Sequence, residues 1–317
     1  MVKSRHPRDI QLKCPAAMAL ALLLVGTSGS VLEAAPVAAA KARFTAVPAV
    51  AAENEYGNVI AQVGGPFVKV SSLIDNPDAD PHSFELSPGA LATVASARLI
   101  VQNGLGYDTF MNRIESASAS SGRHVIVVAH LLGLGEQTPN PHLWYKPATM
   151  TLVATAVAVA LGKIDPAHGG YFDANLARFK ASQRPWLRAV ATFRSNHGGT
   201  PVATTEPIAD YLLQAMDAQI RTPERLELDV MNGIDPPPQD TALEQQLLTG
   251  HEVKVFVYNR QVVDSLTETF LRTARSSGVP VVGVDETMPT PGYTYQRWML
   301  ATVQNIERAV TSHEGPR

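Results

Sequence analysis

The sequence predicts an α/β protein of two lobes, each with a central parallel-type sheet flanked by helices, joined by a long backbone helix. Three observations predict it. Short β-rich runs alternate with helical patterns along the chain, which is the order that parallel sheets require. With 317 residues, 45% of them hydrophobic, the chain can fill one large core or two medium ones. A helical stretch at 166–195 then divides two halves of similar style.

Residues 1–40 are expected to be a cleavable export signal, placing the mature protein in the periplasm or another extracytoplasmic space. A basic start runs through Lys13, and the apolar segment AAMALALLLVG (16–26) that follows is too short to span a bilayer. Ala38 and Ala40 fit the small-x-small pattern at a cleavage site. The only cysteine, Cys14, precedes the apolar segment, so the mature chain would have none. Any metal site must then use His, Asp or Glu.

The first lobe, 41–165, offers strands at 44–50, 67–74, 98–103 and 124–129, with helices at 53–63 and 88–97. The connecting helix, 166–195, carries Tyr171, Leu176, Phe179, Trp186 and Val190 at helical spacing. About 25 helical residues cover about 37 Å, enough for a rigid strut, and Pro185 predicts a kink or break within it. The second lobe, 196–317, has strands at 201–205, 252–259 and 279–284 and helices at 207–216 and 261–277. Its stretch 229–240, with three successive prolines, reads as a loop. No internal repeat is visible in the sequence.

Charge excludes one class of partner. Of 26 basic and 29 acidic residues, four and two lie in the first 35, which leaves 22 and 27 in the rest. Such an acidic balance argues against a nucleic-acid surface. The chain also lacks a G-x-x-x-x-G-K-[ST] phosphate-cradling loop.

Three strands end in a candidate metal ligand. His82 follows the strand at 67–74 after a Pro/Asp-rich turn, Glu206 follows PVATT, and the pair Asp285 and Glu286 follows VPVVGV. In open α/β sheets ligands bind beyond the carboxyl ends of the strands, so side chains from two sheets can converge in the cleft between lobes. His142, in NPHLWYKP, shares with DPHSFELSP a proline before the histidine that stiffens the backbone. Two imidazoles and two carboxylates suit zinc, manganese or iron. Taken singly the signals are plain: Glu206 before Pro207 also suits a helix N-cap. His124, His130, His168, His197 and His251 show no partner pattern and are expected to be surface or structural.

The spaced motifs AAENEYGNVIAQVGG, DADPHSFELSPGALATVASARLIVQNGLGYDTFMNRI, NPHLWYKPATM, DPAHGGYFDANLARF, TTEPIADYLLQAM and GVPVVGVDETMPTPGYTYQRWMLATVQNIERAV resemble the zinc- and manganese-type (cluster A-I) solute-binding receptors of bacterial ABC importers. The likeness spans about 44–312. It implies a monomeric extracytoplasmic receptor, not an enzyme, that captures Mn2+, Zn2+ or Fe2+ and delivers it to a membrane permease with its ATPase. It also implies His82, His142, Glu206 and one acid of the Asp285–Glu286 pair as ligands. Strand alternation with the alignment favours Asp285, while some relatives keep only the acid matching Glu286. Glu rather than His at 206, and the lack of a His/Asp-rich loop, shift the expected metal toward manganese or iron, although zinc would still bind tightly in vitro. A periplasmic metalloenzyme and an adhesin on the same scaffold are the alternatives. The lack of an H-E-x-x-H or similar general-base pairing weighs against the former.

Overall fold

In the computed structural model the described residues are 45–78, 81, 84–85, 87–118 and 120–312. The expected export signal with Cys14 lies outside them, and so does His82.

Strand β1 (Val47–Glu53) shows why a nearly continuous apolar run makes a central parallel strand. Val47, Ala49 and Ala51 enter one apolar cluster and Val50 and Ala52 another, the period-two division of a pleated strand covered on both faces. It pairs in parallel with β2 (Val68–Ile74) on one side and β3 (Leu99–Gln102) on the other, and β3 pairs with β4 (His124–Val127). The second sheet comprises β5 (Pro201–Thr204), β6 (Gln219–Ile220), β7 (Val255–Asn259) and β8 (Val281–Val284), again all parallel. Strand orders are β2-β1-β3-β4 and β6-β5-β7-β8, so the two sheets share one topology that the sequence does not reveal as a repeat. In each, the chain reverses its direction of sheet growth between the first and third strands. That switch point opens a crevice at the strands' carboxyl ends.

Helices cover both faces. In the first half these are α1 (Asn54–Gly64), α2 (Pro88–Ser96), α3 (Phe110–Ala117), the single turn α4 (Val128–Leu131) and α5 (Thr149–Ile164). Helix α2 starts where Ser87 Oγ accepts the Ala90 N–H at 3.1 Å and Pro88 fills the first turn. Helix α5 buries Met150, Val153, Ala154, Val157, Leu161 and Ile164, the apolar stripe of a core-facing helix. At its end α1 meets β2 closely: a Cβ on Gly64 would fall inside the contact distance of Val68. Val68 is β-branched and cannot swing aside, so Gly64→Ala is expected to lower stability by about 1–3 kcal/mol; urea unfolding of the apo protein measures it, and an unchanged midpoint would contradict the contact.

The connecting segment is two 14-residue helices, α6 (Gly169–Ser182) and α7 (Arg184–His197). Pro185 has no N–H to continue the i→i−4 ladder, so the run is interrupted at Gln183. Gln183 keeps right-handed dihedrals (φ −71°, ψ −24°) and accepts the Trp186 Nε1–H at 2.7 Å.

The second half adds α8 (Asp210–Ala215), α9 (Glu224–Met231), α10 (Pro238–Thr249), α11 (Ser265–Ser276) and α12 (Tyr295–Thr311). The expected loop at 229–240 is shorter than predicted, because α9 extends to Met231 and Pro238 opens α10. Proline lacks only an N–H that the first helical turn leaves unpaired anyway.

One apolar cluster runs from the inner face of the first sheet through α5, α6, α7 and α12 to Val202, Val255, Val257 and Val284 of the second. Aromatic rings fill the junction: Tyr145 meets Trp298 at 5.6 Å, Trp186 meets Tyr295 at 6.1 Å, and Tyr295 donates to the Trp144 carbonyl at 2.7 Å. A continuous apolar junction of this kind resists free swinging of the sheets and confines movement to loops and small shifts.

Candidate metal centre

His142 lies on the connection after β4, and the sequence around it fixes the ring. Pro141 precedes it and a single 3-10 turn, Leu143–Tyr145, follows. Asn140 Oδ1 accepts both the His142 backbone N–H and the ring at Nδ1, each at 2.9 Å. The ring is fully buried, and Nε2 has no hydrogen-bond partner. It faces Glu286 Oε2 at 3.6 Å. Ligand bonds of about 2.0–2.2 Å at a tetrahedral angle put two donor atoms about 3.4 Å apart, so this pair already stands near the spacing of two ligands on one ion.

Glu286 follows β8 by one residue and is held from both sides. The Tyr107 hydroxyl, from the first sheet's side, donates to Oε2 at 2.7 Å, and Asn259 Nδ2, at the end of β7, donates to Oε1 at 2.5 Å. Gln261 Oε1 accepts the backbone N–H groups of Glu286 and Thr287 at 2.7 and 2.9 Å. Burial, with the Glu286 charge beside it, pushes the Tyr107 pKa well up, so the hydroxyl keeps its proton and remains a donor.

Tyr107 is placed by the turn Asn103–Asp108. Gly104 and Gly106 adopt positive φ (85° and 81°), as does Leu105 (56°), conformations that glycine takes without strain. Asp108 closes the turn by accepting the N–H groups of Asn103 and Gly104 at 2.6 and 3.0 Å. Burial and then the charge of Asp108 push the Glu53 pKa well up, and burial raises Asp108 as well. Asn103 ties the parts together: its Oδ1 accepts from Tyr56 at 2.6 Å and its Nδ2 donates to the Pro141 carbonyl at 2.9 Å.

Asp285 goes elsewhere. Its carboxylate forms a two-point pair with the Arg260 guanidinium, at 2.8 Å between Nε and Oδ1 and through Nη2 to Oδ2. Successive side chains of an extended segment point to opposite sides, so with Asp285 on Arg260 it is Glu286 that faces His142. This reverses the orientation favoured by the strand alignment. Arg260 is also the reason: its planar fork suits a carboxylate on that side of the chain.

Glu206 follows β5 with extended dihedrals (φ −158°, ψ 166°) and is 1% exposed. Its side chain makes no cap bond to the 3-10 turn Pro207–Ala209 that follows, so the helix-start role considered from the sequence is not what it performs. It lies at the switch point of the second sheet. Among the described residues no three His, Cys, Asp or Glu side chains stand in common ligating range, and His82 is not among those residues. Of the remaining histidines, His168 stacks on Phe67 at 3.8 Å and pairs with Asp165 at 2.6 Å, a structural role.

Sequence reading did not single out Tyr107, Asn140, Asn259 or Glu55. Glu55, in the first turn of α1, is fully buried with neither oxygen hydrogen-bonded. Burial pushes its pKa well up, with the charge of Glu286 adding to the effect. Above the centre, a cleft of about 320 Å3 is lined by Leu105, Tyr107 and Pro141 on one side and Leu228, Met231 and Asn232 on the other.

Comparison with known proteins agrees with the fold. The chain is 21% identical over 293 residues to a "Putative metal-binding protein" of Treponema pallidum, covering 85% of this chain and 89% of that protein. Among solved structures, the solute-binding protein FpvC of Pseudomonas aeruginosa in complex with Mn2+ superposes with a TM-score of 0.69 at 20% identity, covering 86% of this chain and 100% of FpvC. A periplasmic metal-binding protein of Candidatus Liberibacter asiaticus gives 0.68 at 18% identity, covering 84% and 100%. Both share the fold. The family profile described as "ZnuA: Zinc-uptake complex component A periplasmic" matches residues 50–309, and by that match the chain belongs to the family of periplasmic components of zinc-uptake complexes.

Proposed function

We propose that this receptor takes up a divalent transition-metal ion between its two sheets, with His142, Glu206 and Glu286 as protein ligands and His82 completing the shell, and passes it to an ABC permease powered by a separate ATPase. The observation that carries this reading is the buried, bare His142 Nε2 facing Glu286 Oε2 at 3.6 Å. A buried polar atom without a partner is costly, and an ion between the two groups would give Nε2 its partner while sharing the charge of Glu286. Tyr107 and Asn259 would hold Glu286 in place while its charge is shared with the ion. The cleft beside Tyr107 is the route in and out. Two carboxylates with imidazole favour manganese or iron over a soft-ligand metal, with zinc the tighter binder in vitro. The protein acts as a monomeric carrier, and the export signal expected at 1–40 delivers it to the periplasm. No helix among the described residues is long and apolar enough to cross a membrane.

Titration calorimetry with Mn2+ and Zn2+ tests the ligand set. Glu286→Ala should weaken binding at least 100-fold, while Asp285→Ala, which removes a support outside the shell, stays within roughly 10 to 100-fold. The opposite order would return the ligand role to Asp285. Metal content by mass spectrometry of protein from its native compartment would identify the cargo, and a metal-free protein there would overturn the carrier reading.

A further inference from the structure

Asn140 joins the two halves of the centre with one side chain. Its Oδ1 takes two donors from His142, the backbone N–H and Nδ1, both at 2.9 Å. Its Nδ2 donates to the Pro207 carbonyl at 2.6 Å, one residue after Glu206. Its own carbonyl accepts the Tyr211 hydroxyl at 3.0 Å. The amide can sit only one way round. Flipped, its NH2 would meet the His142 N–H and its oxygen would meet the Pro207 carbonyl, two like-to-like contacts. With Oδ1 toward the ring, Nδ1 must carry a hydrogen, and a neutral imidazole then leaves Nε2 with its lone pair. Nε2 is the atom that faces Glu286.

We infer that Asn140 is a positioning residue: it locks His142 in the Nδ1–H form, ready to ligate through Nε2, and ties that ring to the backbone carrying Glu206. This rests on the reading of His142 as a ligand. A single amide would thereby set the separation between donors from the first and second sheets before any ion arrives, which limits the ordering cost of capture.

Long-range nitrogen–proton NMR of the intact apo protein reads the tautomer directly, and competition with a fluorescent chelator reads Zn2+ affinity. The wild type should show His142 as Nδ1–H with a bare Nε2. Asn140→Ala should give a mixture of tautomers and lose about 10 to 100-fold in Zn2+ affinity. Asn140→Asp keeps an acceptor for both His142 donors but sets its second oxygen against the Pro207 carbonyl, so it should restore the Nδ1–H tautomer without the tie to the second sheet. An Nε2–H ring in the wild type overturns the inference even if the alanine variant does not fold. So does an alanine variant with unchanged tautomer and affinity within twofold, or an aspartate variant with the alanine variant's mixture of tautomers. His142→Gln is the separate control: if it binds Zn2+ as tightly as wild type, the ligand reading fails, while the wild-type tautomer still decides the role of Asn140.

Discussion

Replacing His142 by alanine is expected to abolish most of the thermal stabilisation that metal confers. An ion that binds only the folded state adds RT ln(1 + [L]/Kd), about 4 kcal/mol at a thousandfold excess over Kd. For a domain of this size that moves Tm by on the order of 10 °C. His142 offers a fully buried donor atom with no hydrogen-bond partner at Nε2, so with the proposed ligand set its loss would remove one of four donors. His82→Ala should act in the same direction. Scanning calorimetry of apo and metal-loaded protein, wild type against each variant, makes the comparison. A metal-induced shift of the same size in both variants would remove these histidines from the site.

The fold was legible because its strands are apolar on both faces. Runs such as those that form β1, β3 and β7 leave little ambiguity of burial. The two-residue β6 was not legible, since Gln219 and Ile220 alone carry no periodicity. Nor was Pro238 as a helix start, because a run of prolines reads as loop until its last member is seen at a first turn. In the centre, residue types at strand ends pointed to His82, Glu206 and the Asp285–Glu286 pair, and the motif NPHLWYKP pointed to His142. What the sequence could not decide is which of two adjacent acids turns inward. That choice is made by Arg260, 25 residues earlier, and by Tyr107 and Asn259, which arrive from different sheets. Partners so distant in sequence leave no local pattern. The same is true of Asn140, whose neighbours Pro207 and Tyr211 come from the other half of the chain.

The second sheet carries a further set of buried acids that sets how the apo protein responds to pH. Asp210 on α8, Glu227 on α9 and Glu244 on α10 are at most 8% exposed, with Thr204 donating its hydroxyl to Glu227 and Thr222 beside Glu244. Burial raises the Glu244 pKa to about 8. Burial and then the charge of Glu224 raise Asp210 to about 7, and burial followed by the charge of Asp210 raises Glu227 well above its usual range. Unfolded carboxyls titrate near 4. Between about pH 4 and 8 the folded state therefore holds protons that the unfolded state has released, and stability falls as pH rises. The stabilisation is complete below about pH 4 and lost once pH passes the folded-state values. At about 1.4 kcal/mol per pKa unit, Glu244 alone accounts for a change on the order of 5 kcal/mol. Glu53 and Glu55 shift the same way, so the wild-type slope combines several groups and a variant is needed to isolate one. Denaturant unfolding of the metal-free protein from pH 5 to 8 should show declining stability, and Glu244→Gln should flatten that decline and raise stability at pH 8 relative to wild type. Protons compete with metal for imidazole nitrogen, so the metal-induced gain should grow over the same range in which the apo protein weakens. Apo stability that climbs from pH 5 to 8, or a glutamine variant with the wild-type slope, would show that these carboxyls are already ionised in the folded protein.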